Sequence, residues 1–143
     1  MIRQLERLAM AAVVISALML FVTSTPSIRG EELHGLWLMA HMGSSGLFVV
    51  ALPVQAILFV WLQVIMPAIT MTERSLLMAL YVFGGLSIGT MFACMLPVPD
   101  TVSMRKLIWV HGWIGMVVVA WLIPIVVTRL KTRPGIVKAT KSS

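Results

Sequence analysis

Residues 33–62 read LHGLWLMAHMGSSGLFVVALPVQAILFVWL, thirty positions without an Asp, Glu, Lys or Arg. A helix needs roughly 20 apolar residues to cross the hydrocarbon of a bilayer. This run is generous for one span and too short for two. Its apolar residues do not alternate with polar ones, as the strands of a membrane barrel would require. Trp37 and Trp61 are placed to mark the two interfacial belts. At 1.5 Å per residue they lie about 36 Å apart. That exceeds the hydrocarbon thickness, so the helix is expected to tilt or to extend past it. Pro53 falls near the middle and is expected to kink it.

Three further runs of the same kind flank this one: 8–25, 76–96 and 107–128. The first follows Arg3, Glu6 and Arg7 and ends near Pro26, and the third stops at Pro97 and Pro99. Short polar stretches at 24–32, 70–75 and 97–106 separate them. Residues are 59% hydrophobic and 11% charged, and mean hydropathy is +1.00. Soluble domains sit near one half and one quarter, so both figures depart in the direction a bilayer demands. The expectation is an all-α, integral membrane protein, one domain over 1–143, built as an up-down bundle of four transmembrane helices. There is no internal repeat and no soluble domain.

The net charge of +6 does not point to nucleic acid, because of where the charges stand. Arg129, Lys131, Arg133, Lys138 and Lys141 crowd a tail over 129–143 that holds no acid, and Arg3 and Arg7 lie at the other end. Four spans put both ends on one side, and the positive-inside rule makes that side cytoplasmic. The tail reads as a topology signal and a contact for anionic lipid. The expected location is a bacterial inner membrane. The first run also resembles a signal peptide, but no A-x-A cleavage site follows it, so it is read as an anchor. Cys94, the single cysteine, excludes an internal disulfide and a CxxCH haem attachment.

Ionisable groups inside a membrane are costly and mark function by default. Here they are three histidines: His34, His41 and His111. His34 and His41 stand seven residues, about two turns, apart on nearly one helix face. His111 lies four residues into the fourth span. The second and fourth spans run in the same direction, so His41 and His111 fall at a similar depth near the outer face. In an up-down bundle these spans are diagonal across the core. Two imidazoles in that arrangement suit the two axial positions of a haem iron. Small residues beside them, among them Gly35, Gly43, Gly46, Gly112 and Gly115, leave room for a flat group. Arg29, Arg105 and Lys106 are placed to pair with propionates. Trp37 and Trp113 are read as belt residues that can also line the pocket. Met39, Met42 and Met104 leave a methionine axial ligand open. Gly85 and Gly89 form a small-xxx-small pattern, read as a helix contact.

The stretches His34-Gly35-Leu36-Trp37-Leu38-Met39-Ala40-His41-Met42-Gly43 and Trp109-Val110-His111-Gly112-Trp113-Ile114-Gly115 resemble the haem-binding helices of small four-helix b-type cytochromes. These are cytochrome b membrane subunits of oxidoreductase complexes. The resemblance covers the second and fourth spans. It implies non-covalent haem b, one-electron transfer between quinone and a redox partner, and association with other complex subunits. Many such proteins stack two haems on four histidines. Three histidines, all at the outer side, allow one haem at most. The expected ligands are His41 and His111. Arg29, Arg105, Trp37 and Gly112 are expected around the haem. His34 has three readings: alternative ligand, propionate partner, or part of a quinone-edge site.

The competing reading is a cofactor-free accessory or anchor subunit of a larger membrane complex. A transporter ranks lower, because acids and bases within the spans are confined to their ends. Copper would need a closed set of soft ligands, which the sequence does not display. No Ser/His/Asp set, phosphate loop or CxxC appears.

Overall fold

The structure, a computed structural model, describes residues 2–28, 33–65, 70–96 and 100–131. Four helices account for nearly all of them: α1 (Ile2–Ile28), α2 (Gly35–Ile65), α3 (Met71–Met95) and α4 (Thr101–Lys131). All four are long and apolar enough to cross a membrane. Among the described residues there is no strand. The most extensive contacts join α1 to α2 and α3 to α4, with α1 also touching α4 and α2 touching α3. The pairs α1/α3 and α2/α4 do not approach each other. The result is an up-down bundle of two hairpins with α2 and α4 on a diagonal, as the sequence leads one to expect.

The helices overrun the apolar runs, for a local reason. Residues 71–75 and 101–106 are helical rather than loop. The Thr70 hydroxyl oxygen accepts from the Glu73 N–H at 3.2 Å, and Asp100 Oδ1 accepts from the Ser103 N–H at 2.6 Å. Each side chain satisfies an otherwise orphaned donor and starts the helix inside the polar stretch. The bond from the Ser103 backbone N–H, foremost, holds the Asp100 carboxyl below the usual carboxylate range. α1 likewise continues past Pro26. α2 is helical through Pro53 and, at 31 residues, is about 46 Å long. Gly35 starts α2 with φ +57°, the left-handed region that costs glycine little. That backbone turn accounts for a glycine next to His34 without invoking a cofactor.

The core runs along the bundle axis. Val13, Leu77, Leu80 and Ile125 are wholly buried, and Phe48, Leu52, Val118 and Leu122 nearly so. On α1 the buried stripe is Ala9, Met10, Val13, Ser16 and Ala17, spaced three and four apart. Its mostly small side chains let α2 lie close. The outward faces are apolar too: Leu8, Ile15, Val50, Ile57, Val82 and Ile123 are all more than half exposed. Such a surface calls for lipid rather than water. The glycines of α3 sort differently from the expected pattern. Gly85 and Gly89 are exposed, with open space where a Cβ would stand. The contact is made by Gly84, whose Cβ would meet Leu52 Cδ2 at 2.6 Å. One step along a helix turns a residue by about 100°, which moves the packing face from 85/89 to 84.

Candidate functional site

In each hairpin, near the end where its own two helices are joined, one histidine is held by a threonine of the preceding helix. His41 on α2 lies 3.0 Å by Nδ1 from the Thr23 hydroxyl on α1. His111 on α4 lies 3.0 Å by Nδ1 from the Thr90 hydroxyl on α3. His111 Nδ1 is also 3.1 Å from the Ser87 carbonyl oxygen. Threonine is suited to this place in a membrane helix, because its hydroxyl hydrogen bonds back to the preceding turn. Thr23 donates to the Met19 carbonyl at 2.7 Å, and Thr90 donates to the Ser87 carbonyl at 2.9 Å.

The Ser87 carbonyl can only accept, so Nδ1 is the N–H of His111 and its Nε2 carries the free lone pair. A threonine hydroxyl can donate or accept; with the Thr23 hydrogen on the Met19 carbonyl, its oxygen accepts from His41 and that ring takes the same Nδ1–H form.

Both rings line one cavity in the interior of the bundle. All four helices contribute to it: Leu20 and Phe21 from α1, Ser45 and Phe48 from α2, Ser87 and Met91 from α3, Gly112, Gly115 and Met116 from α4. At Gly112 and Gly115 a Cβ would meet nothing within 4 Å. The centres of water-sized spheres can range over about 80 Å³ of the cavity. On that scale one buried water needs about 10–15 Å³. All atom-free space, counted out to the open mouth, comes to about 700 Å³. The smaller figure decides what fits without movement, which is an ion with a few waters. A macrocycle requires the apolar side chains between the rings to turn aside.

The donor chemistry fits a haem iron. Two imidazoles on diagonal helices face a common space, with Nδ1 occupied and Nε2 free, and the surroundings are largely apolar. Among the described residues no group of three or more His, Cys, Asp or Glu converges. A His–carboxylate cage is therefore not available to a metal here, and two imidazoles are the nitrogen donors on offer.

The other residues expected at the site are placed as follows. Gly112 lines the cavity. His34 lies just before α2, exposed, and does not line it. Trp37 and Arg105 are exposed and also outside it. Trp113 packs edge-on against Trp109, with ring centroids 5.6 Å apart and both rings outward. Arg29 lies outside the described residues. Met39 and Met42 are exposed, and with Met104 they stay outside the cavity. The methionines that line it are Met91 and Met116; Met116 stands five residues after His111, and Met104, seven before it, stays outside. Thr23 and Thr90 have no histidine close to them along the chain. Their one signal in the sequence is a hydroxyl within an apolar run at the depth of a histidine on the next helix.

A second polar cluster sits at the opposite end, where α1 begins and α4 ends. Arg129 of α4 donates from Nη1 to Glu6 Oε1 of α1 at 2.6 Å and from Nε to Glu73 Oε1 of α3 at 3.2 Å. Gln55 of α2, wholly buried, donates to the same Glu6 oxygen at 3.1 Å. All four helices meet in this knot. In the same half of the bundle Tyr81 Oη interacts with the Gln55 side chain, and Gln63 Nε2 is buried without a hydrogen-bond partner. Between the two clusters lies the apolar layer of Leu52, Leu80, Val118 and Leu122.

Compared with models of protein families, with curated proteins and with solved structures, the chain matches none.

Proposed function

We propose that this chain is the b-type cytochrome subunit of a membrane oxidoreductase complex, with one haem b held between His41 and His111. One observation carries the reading: two imidazoles on diagonal helices share one interior cavity, each with Nδ1 engaged and Nε2 free. Bound there, haem b would supply reversible one-electron chemistry at its iron. The residues do the rest. His41 and His111 present a nitrogen each, from opposite sides of the bundle. Gly112 and Gly115 leave backbone-level room, and Leu20, Phe21 and Phe48 give the cavity an apolar lining. The apolar layer below separates this site from the charged end. With the basic tail cytoplasmic by the positive-inside rule, the site lies near the outer face of a bacterial inner membrane. A redox group held there would be within reach of membrane quinone and of a partner subunit or redox protein on the outer side. His34 and Arg105, exposed beyond the cavity, are available to that partner.

The test is a dithionite-reduced minus oxidised visible spectrum of the purified protein, with a pyridine haemochrome assay. The expected result is one haem b per chain, lost in His41→Ala and in His111→Ala while the protein still inserts. A folded preparation made with haem supplied, yet without pigment, would leave the anchor-subunit reading standing.

Met91 and Met116 favour a second reading. Two imidazoles and two thioethers border a cavity that, as it stands, takes an ion more readily than a macrocycle. Soft sulfur with imidazole suits copper. Metal analysis of the same preparation separates the two: copper without haem supports this reading, and haem without copper removes it.

A further inference from the structure

We infer that Thr23 and Thr90 are positioning residues that lock His41 and His111 with the proton on Nδ1, and that they do so unequally, which makes the two imidazoles different ligands. The inference rests on the proposed haem site for its redox consequence but not for its geometry.

The two hairpins repeat one arrangement. Thr23 precedes the end of α1 by five residues and Thr90 precedes the end of α3 by five, and each faces a histidine on the following helix. Each hydroxyl spends its hydrogen on its own helix and turns a lone pair to the ring. A ring held in this way cannot rotate to offer Nδ1 to a metal without breaking its bond. An acceptor on Nδ1–H also makes Nε2 more basic. A more basic ligand favours the ferric over the ferrous state and lowers the potential.

The repeat is not exact in its hydrogen bonds. His41 has the Thr23 hydroxyl as its acceptor. His111 has the Thr90 hydroxyl and, on the same hydrogen, the Ser87 carbonyl. Removing Thr90 therefore leaves His111 with an acceptor, whereas removing Thr23 takes away the acceptor that His41 has among the described residues. Valine keeps the shape of threonine and deletes the acceptor, so it isolates this difference. Serine restores the oxygen.

The experiment uses the full-length protein in detergent and has two arms. In the haem-free protein, the nitrogen-15 chemical shifts of the imidazoles report the protonated nitrogen. Both rings are expected as Nδ1–H, and Thr23→Val is expected to move the His41 signals. An Nε2–H signal from either ring overturns the inference, whether or not the protein ever binds haem. In the haem-loaded protein, a redox titration of the visible spectrum follows Thr23→Val, Thr90→Val and the two serine variants. The midpoint potential is expected to rise most in Thr23→Val and less in Thr90→Val, with serine close to the parent. Haem retention should weaken by about 10- to 100-fold in Thr23→Val. Unchanged potentials and retention in both valine variants, or serine behaving as valine does, overturn the inference. Failure of the parent protein to take up haem strikes the cytochrome reading alone, and the nitrogen-15 arm still decides the threonines.

Discussion

The two ends of this bundle use polar side chains in opposite ways. At the end where α1 meets α2 and α3 meets α4, every polar bond to a histidine stays inside one hairpin: Thr23 to His41, Thr90 and Ser87 to His111. At the other end Arg129 of the second hairpin reaches Glu6 of the first, and Gln55 adds α2 to the same carboxylate. Bonds within hairpins leave the space between hairpins open, and there the cavity lies. A charge shared between hairpins closes that space. A bilayer contributes little hydrophobic drive to helix association, so where such bonds are placed decides which end is sealed and which can admit a ligand.

The largest effects should separate the ends completely. His41→Ala or His111→Ala is expected to abolish the haem spectrum and, compared with the haem-free parent, to leave the thermal midpoint in detergent nearly unchanged. Arg129→Met is expected to do the reverse. It leaves the carboxylates of Glu6 and Glu73, largely buried, facing each other without their shared cation. The cost is about 3 kcal/mol in a denaturant titration, with haem retained below the melting transition. Neutralising all three, as Glu6→Gln with Glu73→Gln and Arg129→Met, should recover much of that loss. If Arg129→Met strips the haem while the fold persists, the ends are coupled and the contrast is wrong.

A smaller effect probes what joins α2 to α3 between the ends. Gly84→Ala places a methyl against the buried Leu52 side chain and should cost about 1 kcal/mol by overpacking. Gly89→Ala, with open space at its Cβ, should be neutral or stabilising by about 0.5 kcal/mol, since alanine is the better helix former. The same unfolding titration reads both. Equal effects would mean that the exposed Gly85/Gly89 face is covered after all.

The smallest effect concerns the start of α4, on the approach to His111. The Asp100 carboxyl is held below the ordinary range by the Ser103 N–H. A group depressed in the folded state contributes stability above its unfolded value, about 3.9, and loses it as pH falls through the lower folded value. Amide exchange at Ser103 should therefore quicken only below about pH 4, and Asp100→Asn should flatten that dependence.

How much of this was legible in advance differs between fold and site. Four uninterrupted apolar runs require four helices, because each backbone group in lipid must be satisfied within its own segment. Their connections, too short for a crossover, give the up-down order and with it the diagonal of α2 and α4. His41 and His111 stood out because an imidazole in a bilayer is costly. The helix starts at Thr70 and Asp100 are legible as caps, although the charge beside them also marks these stretches as polar connections.

The sequence by itself therefore determined the class, the four helices, their order and the depth of the two histidines, since all of these follow from each residue's cost in hydrocarbon. Only the tertiary structure decided which groups meet. Thr23 lies 18 positions from His41, Thr90 lies 21 from His111, and Glu6 lies 123 from Arg129. Helix rotation sets such pairings, and a rotation of one residue, about 100°, exchanges every partner. The same rotation brought Met91 and Met116 to the cavity, left Met39 and Met42 outside it, and put Gly84 rather than Gly85 against Leu52. Rotation is set by side chains fitting together across helices, and a run that is apolar on all its faces carries little record of which face turns inward.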